Sequence, residues 1–181
     1  SDESQMQKLF EEIRKSSGKI DGVIHCAGVA GEGLLVRKDQ SRIKEVLAAK
    51  VTGTWILDKV TQEDKPDFFI MFSSISTLIG GLGQGDYAAA NGYLDSYASY
   101  MRLKGRKGTV VNWPLWQDVG MGSDYDVDER ASVFASLSPK RGVEIFEEIL
   151  GTDRDQVIVG ELKRRIARES IGKSLLNDYV L

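Results

Sequence analysis

Residues 68 to 102, FFIMFSSISTLIGGLGQGDYAAANGYLDSYASYMR, constrain the fold more than any other stretch of the chain. Phe68 to Phe72 is an unbroken apolar run, short and rich in bulky side chains, which reads as a strand buried on both faces. It stops at two hydroxyls, Ser73 and Ser74. A connector carrying Gly80, Gly81, Gly83 and Gly85 follows, and a helical pattern then runs from near Asp86 to about Leu103. That helix carries Tyr87 and, one turn later, Asn91. Open α/β sheets place ligand chemistry at such a point, where a buried parallel strand ends in polar side chains and a loop leads into a helix.

The rest of the chain supplies partners for such a strand. Met6, Leu9, Phe10 and Ile13 have helical spacing within residues 3 to 16, and Gly18 is a natural stop. Ile20 to Ala27 reads as a strand ending at Gly28. Ser41 to Val60 is a second helical pattern with Ile43, Val46, Leu47, Val51, Trp55 and Leu57 along one side. Asp39 or Ser41 is its candidate cap, and the Val51–Trp55 neighbourhood is expected to face the sheet. Thr109 to Trp113 and Gln156 to Val159 read as further strands, the former broken by Pro114. Ser138-Pro139 opens a helix with proline at its first position, running to Leu150. Strands alternating with helices predict an α/β fold with a parallel sheet and crossover connections. The chain of 181 residues is long enough to bury a core as one domain. Residues 1–162 are read as that domain, and the charged stretch 163–181 (Lys163, Arg164, Arg165, Arg168) as a helix or linker leaving it.

Serine and tyrosine converging at a strand end suggest chemistry on a carbonyl or an alcohol. A phenol has an ordinary pKa near 10, so it serves as a proton donor near neutral pH best when a nearby cation lowers that value. Lys50 is the candidate cation, because a lysine among Ala48, Ala49, Val51 and Gly53 has an apolar setting unusual for a charge. Taken singly, each residue has an ordinary structural explanation: a serine pair caps strands, a tyrosine packs, a lysine is solvated. The only histidine, His25, reads as a strand-end or core residue. Cys26 reads as packing, since no second histidine or basic cluster stands by to activate it. The acidic run Asp124, Asp126, Asp128 and Glu129 lacks the glycine and closing glutamate of a calcium loop and reads as a solvated face.

A formal net charge of −3 gives no broad basic field, which argues against nucleic acid as a partner. No apolar run approaches the length of a membrane span, and a lone cysteine forms no intrachain disulfide, so a cytoplasmic setting is expected.

Lys50, Ser74, Tyr87 and Asn91, in that order and spacing, resemble the catalytic tetrad of ketoreductase domains of modular polyketide synthases, a branch of the short-chain dehydrogenases/reductases. Most of that superfamily reads Tyr-x-x-x-Lys; here asparagine follows the tyrosine and the lysine lies on the earlier helix, as is typical of the synthase branch. The resemblance implies a Rossmann-like doubly wound parallel sheet, and NADPH-dependent reduction of a β-ketoacyl thioester carried on an acyl carrier protein. It implies Tyr87 as proton donor, Ser74 as a hydrogen-bond donor to the same oxygen, Lys50 as the group that lowers the tyrosine pKa and touches the nicotinamide ribose, and Asn91 as the keeper of the proton relay. It further implies that Ala27 and Gly28 support the cofactor. Pro114 and Leu115 would pass the nicotinamide carboxamide. Gln84 and Met121 would face the substrate, Met121 on a lid spanning residues 117 to 138. WPLWQDVGMG at 113 to 122 is similar to domains of the trans-acyltransferase type. Neither stereochemical marker of the family is present: Ala30, Gly31 and Glu32 stand in place of Leu-Asp-Asp, and Ile79 in place of tryptophan.

The resemblance covers roughly residues 19 to 162, and about the C-terminal two-thirds of the family's catalytic domain. The glycine-rich βαβ unit that cradles dinucleotide phosphates is not found, since GGLGQG at 80 to 85 precedes the tyrosine instead of opening the first βα turn. The chain is therefore expected to be a fragment whose strand near 20–26 presents an apolar edge. Expected partners are the N-terminal βαβ segment, neighbouring synthase domains and the carrier protein. Two other readings stay open: a stand-alone short-chain alcohol dehydrogenase, and a non-catalytic reductase-like module.

Overall fold

The computed structural model describes residues 2–31, 33–124 and 132–163. Helix α1 (Glu3–Ser17) starts where the Asp2 carboxylate accepts a hydrogen bond from the Gln5 amide, and stops at Gly18, whose φ of 86° suits only glycine well. Strand β1 (Gly22–His25) follows. Helix α2 (Gln40–Leu47), a π-helical segment (Ala48–Thr52) and helix α3 (Gly53–Thr61) then form one continuous rod. Next come strand β2 (Phe68–Ser74), a single-turn helix α4 (Ser76–Ile79) and the long helix α5 (Gly85–Leu103). Strand β3 (Thr109–Trp113), helix α6 (Pro139–Leu150) and strand β4 (Gln156–Ile158) complete the α-helices and strands among the described residues.

The strands form a four-stranded parallel sheet in the order β1-β2-β3-β4, which is the α/β class the alternation predicts. β1 and β2 run parallel with Gly22 opposite Phe68 and His25 opposite Met71. Gly22 is needed there because a Cβ would collide with the Phe68 ring. β1 is an edge strand and Ile24 on it is half exposed.

The described residues cluster into two compact units, those up to 112 with 153–157, and those from 113 to 152 with 158–163. The first holds the core, in which Val23, Phe69, Met71 and Val110 from the sheet meet Leu94, Tyr97, Ala98 and Met101 from α5. Burial of such side chains stabilises by about 1.5–3 kcal/mol each. Two ion pairs staple helices over it: Arg14 of α1 to Asp64 at 2.5 Å, and Arg106 to Asp58 of α3, which also accepts from the Tyr97 hydroxyl at 2.6 Å. In the second unit Ser138 caps α6 by accepting from the Arg141 amide, Pro139 occupies the first helical position, and Gly142 makes room for the Trp116 ring. Trp116 and Leu137 bridge in parallel, and Trp113 stands edge-on to Trp116 at 5.1 Å.

The rod α2–α3 departs from the simple period. Across the π segment the Gly53 amide reaches back five residues to the Ala48 carbonyl, widening the turn. In α3 the buried residues are Thr54, Ile56, Asp58 and Thr61. Trp55, expected against the sheet, is instead 46% exposed with the Lys59 ammonium 4.9 Å above its ring. Asp39 is the residue before α2, and its side chain makes no capping bond. Of the lid and its acidic run, residues 125–131 lie outside the described residues, as do Glu32 and the tail from 164 onward.

Candidate active site

The site grows from the carboxyl end of β2. Ser74 is its last residue, and the strand turns there straight into α4. The Ser74 hydroxyl accepts from the Ser76 amide at 3.1 Å, and its carbonyl accepts from the Thr77 hydroxyl at 3.1 Å. Both bonds fix the serine in the turn and leave its hydroxyl hydrogen free to point elsewhere.

Lys50 enters from the π segment. It is only 2% exposed, and its ammonium donates to the carbonyl of Phe72, two residues before Ser74, at 2.7 Å. Burial pushes its pKa down to about 8, with Cys26 and Asp95 pulling the other way. The lysine is therefore a cation at neutral pH, held next to the strand that ends in the serine. Lys50 lies four residues after the buried Val46 and four before the buried Thr54, a spacing that keeps it on the inward face of the rod.

Tyr87 lies in the first turn of α5, half-buried. Burial raises its pKa, while hydrogen bonding from the Asn91 and Ser74 side chains lowers it. The phenol thus sits between the serine and the asparagine and holds its proton at neutral pH. Lys50, which the resemblance casts as the group lowering that pKa, is not among the groups acting on the phenol here, because its ammonium is turned to the Phe72 carbonyl. Asn91 is fully buried; its amide donates to the Tyr87 carbonyl at 2.8 Å, and its Oδ1 has no hydrogen-bond partner. A buried acceptor left in this way is costly unless something arrives to use it.

The remaining expected residues separate into three places. Ala27 and Gly28 come just after β1, beyond Cys26, Ala27 exposed and Gly28 half-buried. Gln84 is exposed at the start of α5 and contributes no side-chain cap. Pro114, Leu115 and Met121 belong to the second unit: Pro114 is buried, the Leu115 carbonyl accepts from the Leu137 amide at 2.8 Å, the Leu115 side chain packs on Gly122, and Met121 is 37% exposed. His25 is a core residue, with its pKa pushed down to about 4 by burial and then by Lys50. Cys26 is exposed at its surface yet has a raised pKa, again through desolvation, so it is a poor nucleophile. Among the described residues no group of three His, Cys, Asp or Glu could hold a metal. None of the helices described is long and apolar enough to cross a membrane.

Several residues that shape the site carry no signal in spacing. Asp86, directly before Tyr87, is wholly buried and forms an ion pair with the equally buried Lys38 at 2.5 Å. The same carboxylate accepts from the Tyr87 amide at 2.9 Å, and Gly31 is glycine because a Cβ would collide with it. The loop after β1 is thereby locked onto the start of α5. Asn112 and Asp95, under the serine, are the other such pair.

The donor set suits a polar, hydroxyl-bearing ligand: an ammonium, a phenol, a serine hydroxyl and an unused carbonyl oxygen at the carboxyl ends of parallel strands. A ribose next to a reducible carbonyl matches it.

The chain is similar to known proteins over most of its length. The family model described as KR domain matches residues 1–118. The chain is 38% identical over 166 residues to polyketide synthase PksN of Bacillus subtilis (strain 168), covering 87% of this chain and 3% of that one. Among solved structures, an N-terminal ketoreductase from the macrolactin assembly line superposes with a TM-score of 0.79 at 34% identity, covering 93% of this chain and 33% of that one. A ketoreductase domain from the bacillaene assembly line gives 0.83 at 32% identity, over 93% and 43%. The chain thus spans a small part of the synthases it matches.

Proposed function

Since the chain belongs to the KR domain family of polyketide synthases, we propose that its site reduces the ketone of a β-ketoacyl thioester to the β-hydroxyacyl form during polyketide assembly. The observation that carries this reading is the meeting of a protonated phenol with the Ser74 and Asn91 side chains, beside a buried lysine cation.

Reduction needs a hydride at the ketone carbon and a proton at its oxygen. A bound nicotinamide dinucleotide, NADPH in this reading, supplies the hydride. Tyr87, kept protonated by its burial, gives its proton to the oxygen as the carbonyl π bond opens. The Ser74 hydroxyl donates to the same oxygen, stabilising charge that exists only while the reaction proceeds. In this reading the Lys50 ammonium, now bound to the Phe72 carbonyl, would turn from it to a ribose hydroxyl and so bring its charge to bear on a phenolate formed at Tyr87. The unpartnered Asn91 Oδ1 accepts from a water that returns a proton to the phenolate. Ala27 and Gly28 at the end of β1, with Pro114 and Leu115, would hold the dinucleotide. Gln84 and Met121 would face the acyl chain. The acyl group arrives on an acyl carrier protein within a synthase of neighbouring domains, the likeness to PksN and to the bacillaene domain favouring the trans-acyltransferase type.

The test is loss of nicotinamide absorbance with a β-ketoacyl thioester, in the full polypeptide, for the unmodified protein and Tyr87→Phe. Removal of the proton donor is expected to slow turnover by about 10²- to 10⁴-fold while the unfolding midpoint stays put. Equal turnover by both proteins, or none by either over several thioesters, would overturn the reading.

A further inference from the structure

Beneath the site lies a polar node whose connectivity goes beyond the tetrad. Asn112, in β3, is completely buried. Its amide nitrogen is 3.0 Å from the Thr77 hydroxyl, 3.1 Å from each Asp95 carboxylate oxygen, 3.2 Å from the Ser73 hydroxyl and 3.3 Å from the Ser74 carbonyl. Its carbonyl oxygen accepts from Gln156 of β4 at 2.9 Å. The orientation of the amide is chemically fixed, since an ionised carboxylate only accepts and so demands the nitrogen on its side.

Two hydrogens shared among these acceptors join three elements at once. The end of β2 brings Ser73 and Ser74, α4 brings Thr77, and α5 brings Asp95. Asp95 lies on the same face of α5 as Tyr87 and Asn91, because residues four apart stack along a helix. One amide therefore spans from the peptide of the serine to the helix of the tyrosine. We infer that Asn112 and Asp95 are positioning residues that set the place of the Ser74 hydroxyl relative to the Tyr87 phenol.

Two facts favour positioning over plain packing. The Ser74 carbonyl receives both the Asn112 amide and the Thr77 hydroxyl, and the Thr77 hydroxyl is itself held by Asn112, so the turn is tied twice. Asp95 also lies near enough to Lys50 for its negative charge to pull the lysine pKa upward.

The inference rests on the reductase reading, and the test keeps the two apart. Asn112→Asp sets two carboxylates face to face. The exchange Asn112→Asp with Asp95→Asn restores one donor and one acceptor between these positions, yet leaves nothing at 112 to donate to the Ser74 carbonyl. It also draws the Thr77 hydroxyl towards the new carboxylate. The full polypeptide carrying the exchange is expected to regain most of the unfolding midpoint lost in the single variant. Its kcat is expected to stay roughly ten- to a hundredfold down with KM within about twofold, the size of effect that misplacing a reacting group by about 1 Å produces. Hydrogen exchange provides a readout free of turnover: amides of Ser76 and Thr77 should exchange faster in the exchanged protein, while those of the β2 interior should not change. An exchanged protein with unmodified kcat, or with unmodified protection at Ser76 and Thr77, overturns the inference. An inert unmodified protein overturns the reductase reading alone, and the exchange measurement still decides the role of Asn112.

Discussion

Replacing Lys50 by methionine separates what this residue does for the reaction from what it does to the fold. The ammonium is buried, and desolvation moves its pKa from 10.5 to about 8. A lysine with a lowered folded pKa binds fewer protons when folded than when unfolded between those two values, so stability rises with pH across that window. Below about pH 8 the full burden of the buried cation is present, and at about 1.36 kcal/mol per pKa unit it comes to roughly 3 kcal/mol. The bond to the Phe72 carbonyl returns part of it, about 1.5–3 kcal/mol for a charged donor. Methionine fills similar space without charge. At pH 7 the variant should therefore be no less stable than the parent and up to about 2 kcal/mol more stable, while turnover collapses. The sharper signature is in the difference between the two proteins. Measured by urea unfolding without cofactor, the stability of Lys50→Met relative to the parent should fall by about 2.5 kcal/mol between pH 7 and pH 10, because only the parent gains over that range. Other groups titrating there cancel in the difference unless they couple to position 50. A difference that stays flat, or that grows with pH, would refute the claim that this ammonium is held at the expense of stability.

Two further perturbations follow from buried charge. His25, with a folded pKa of about 4 against 6.5 when exposed, leaves the unfolded chain binding a proton first as pH falls, so stability should drop by about 3 kcal/mol from pH 6.5 to 4; His25→Gln should flatten that limb of a pH-dependent unfolding series, and an unchanged limb would show the histidine is not its source. Lys38→Met leaves the Asp86 carboxylate buried without a countercharge, at an expected loss of about 3–5 kcal/mol in unfolding free energy, while the double change Lys38→Met with Asp86→Leu should recover most of it; a single variant that unfolds like the parent would remove this pair from the supports of the Tyr87 turn.

What the sequence made legible is what obeys a period or a short range. The β2 run ends at hydroxyls, α5 opens near Asp86, Pro139 starts α6, and Gly18 stops α1, each a local rule the structure follows. Ser74, Tyr87 and Asn91 come together because strand, turn and helix are consecutive and four-residue spacing keeps one helix face. Lys50 was legible only as an anomaly of setting. Grouping Trp55 with Val51 puts the tryptophan against the sheet, whereas the face buried in the structure runs through Val46, Lys50, Thr54 and Asp58 at four-residue spacing and leaves Trp55 outside. The ties that hold the site lie further from any local rule. Lys38 meets Asp86 across 48 residues, and Asn112 meets Asp95 across 17 and Ser74 across 38. No pattern within a helix or strand marks these partners, since each looks like an ordinary polar residue until the sheet closes. Their burial then makes each pairing obligatory, because an unpaired amide or carboxylate in that interior costs more than the pair contributes when made. The four residues that spacing reveals are consequently placed by residues that spacing hides, and a chain keeping only the first set would have the right groups without their geometry.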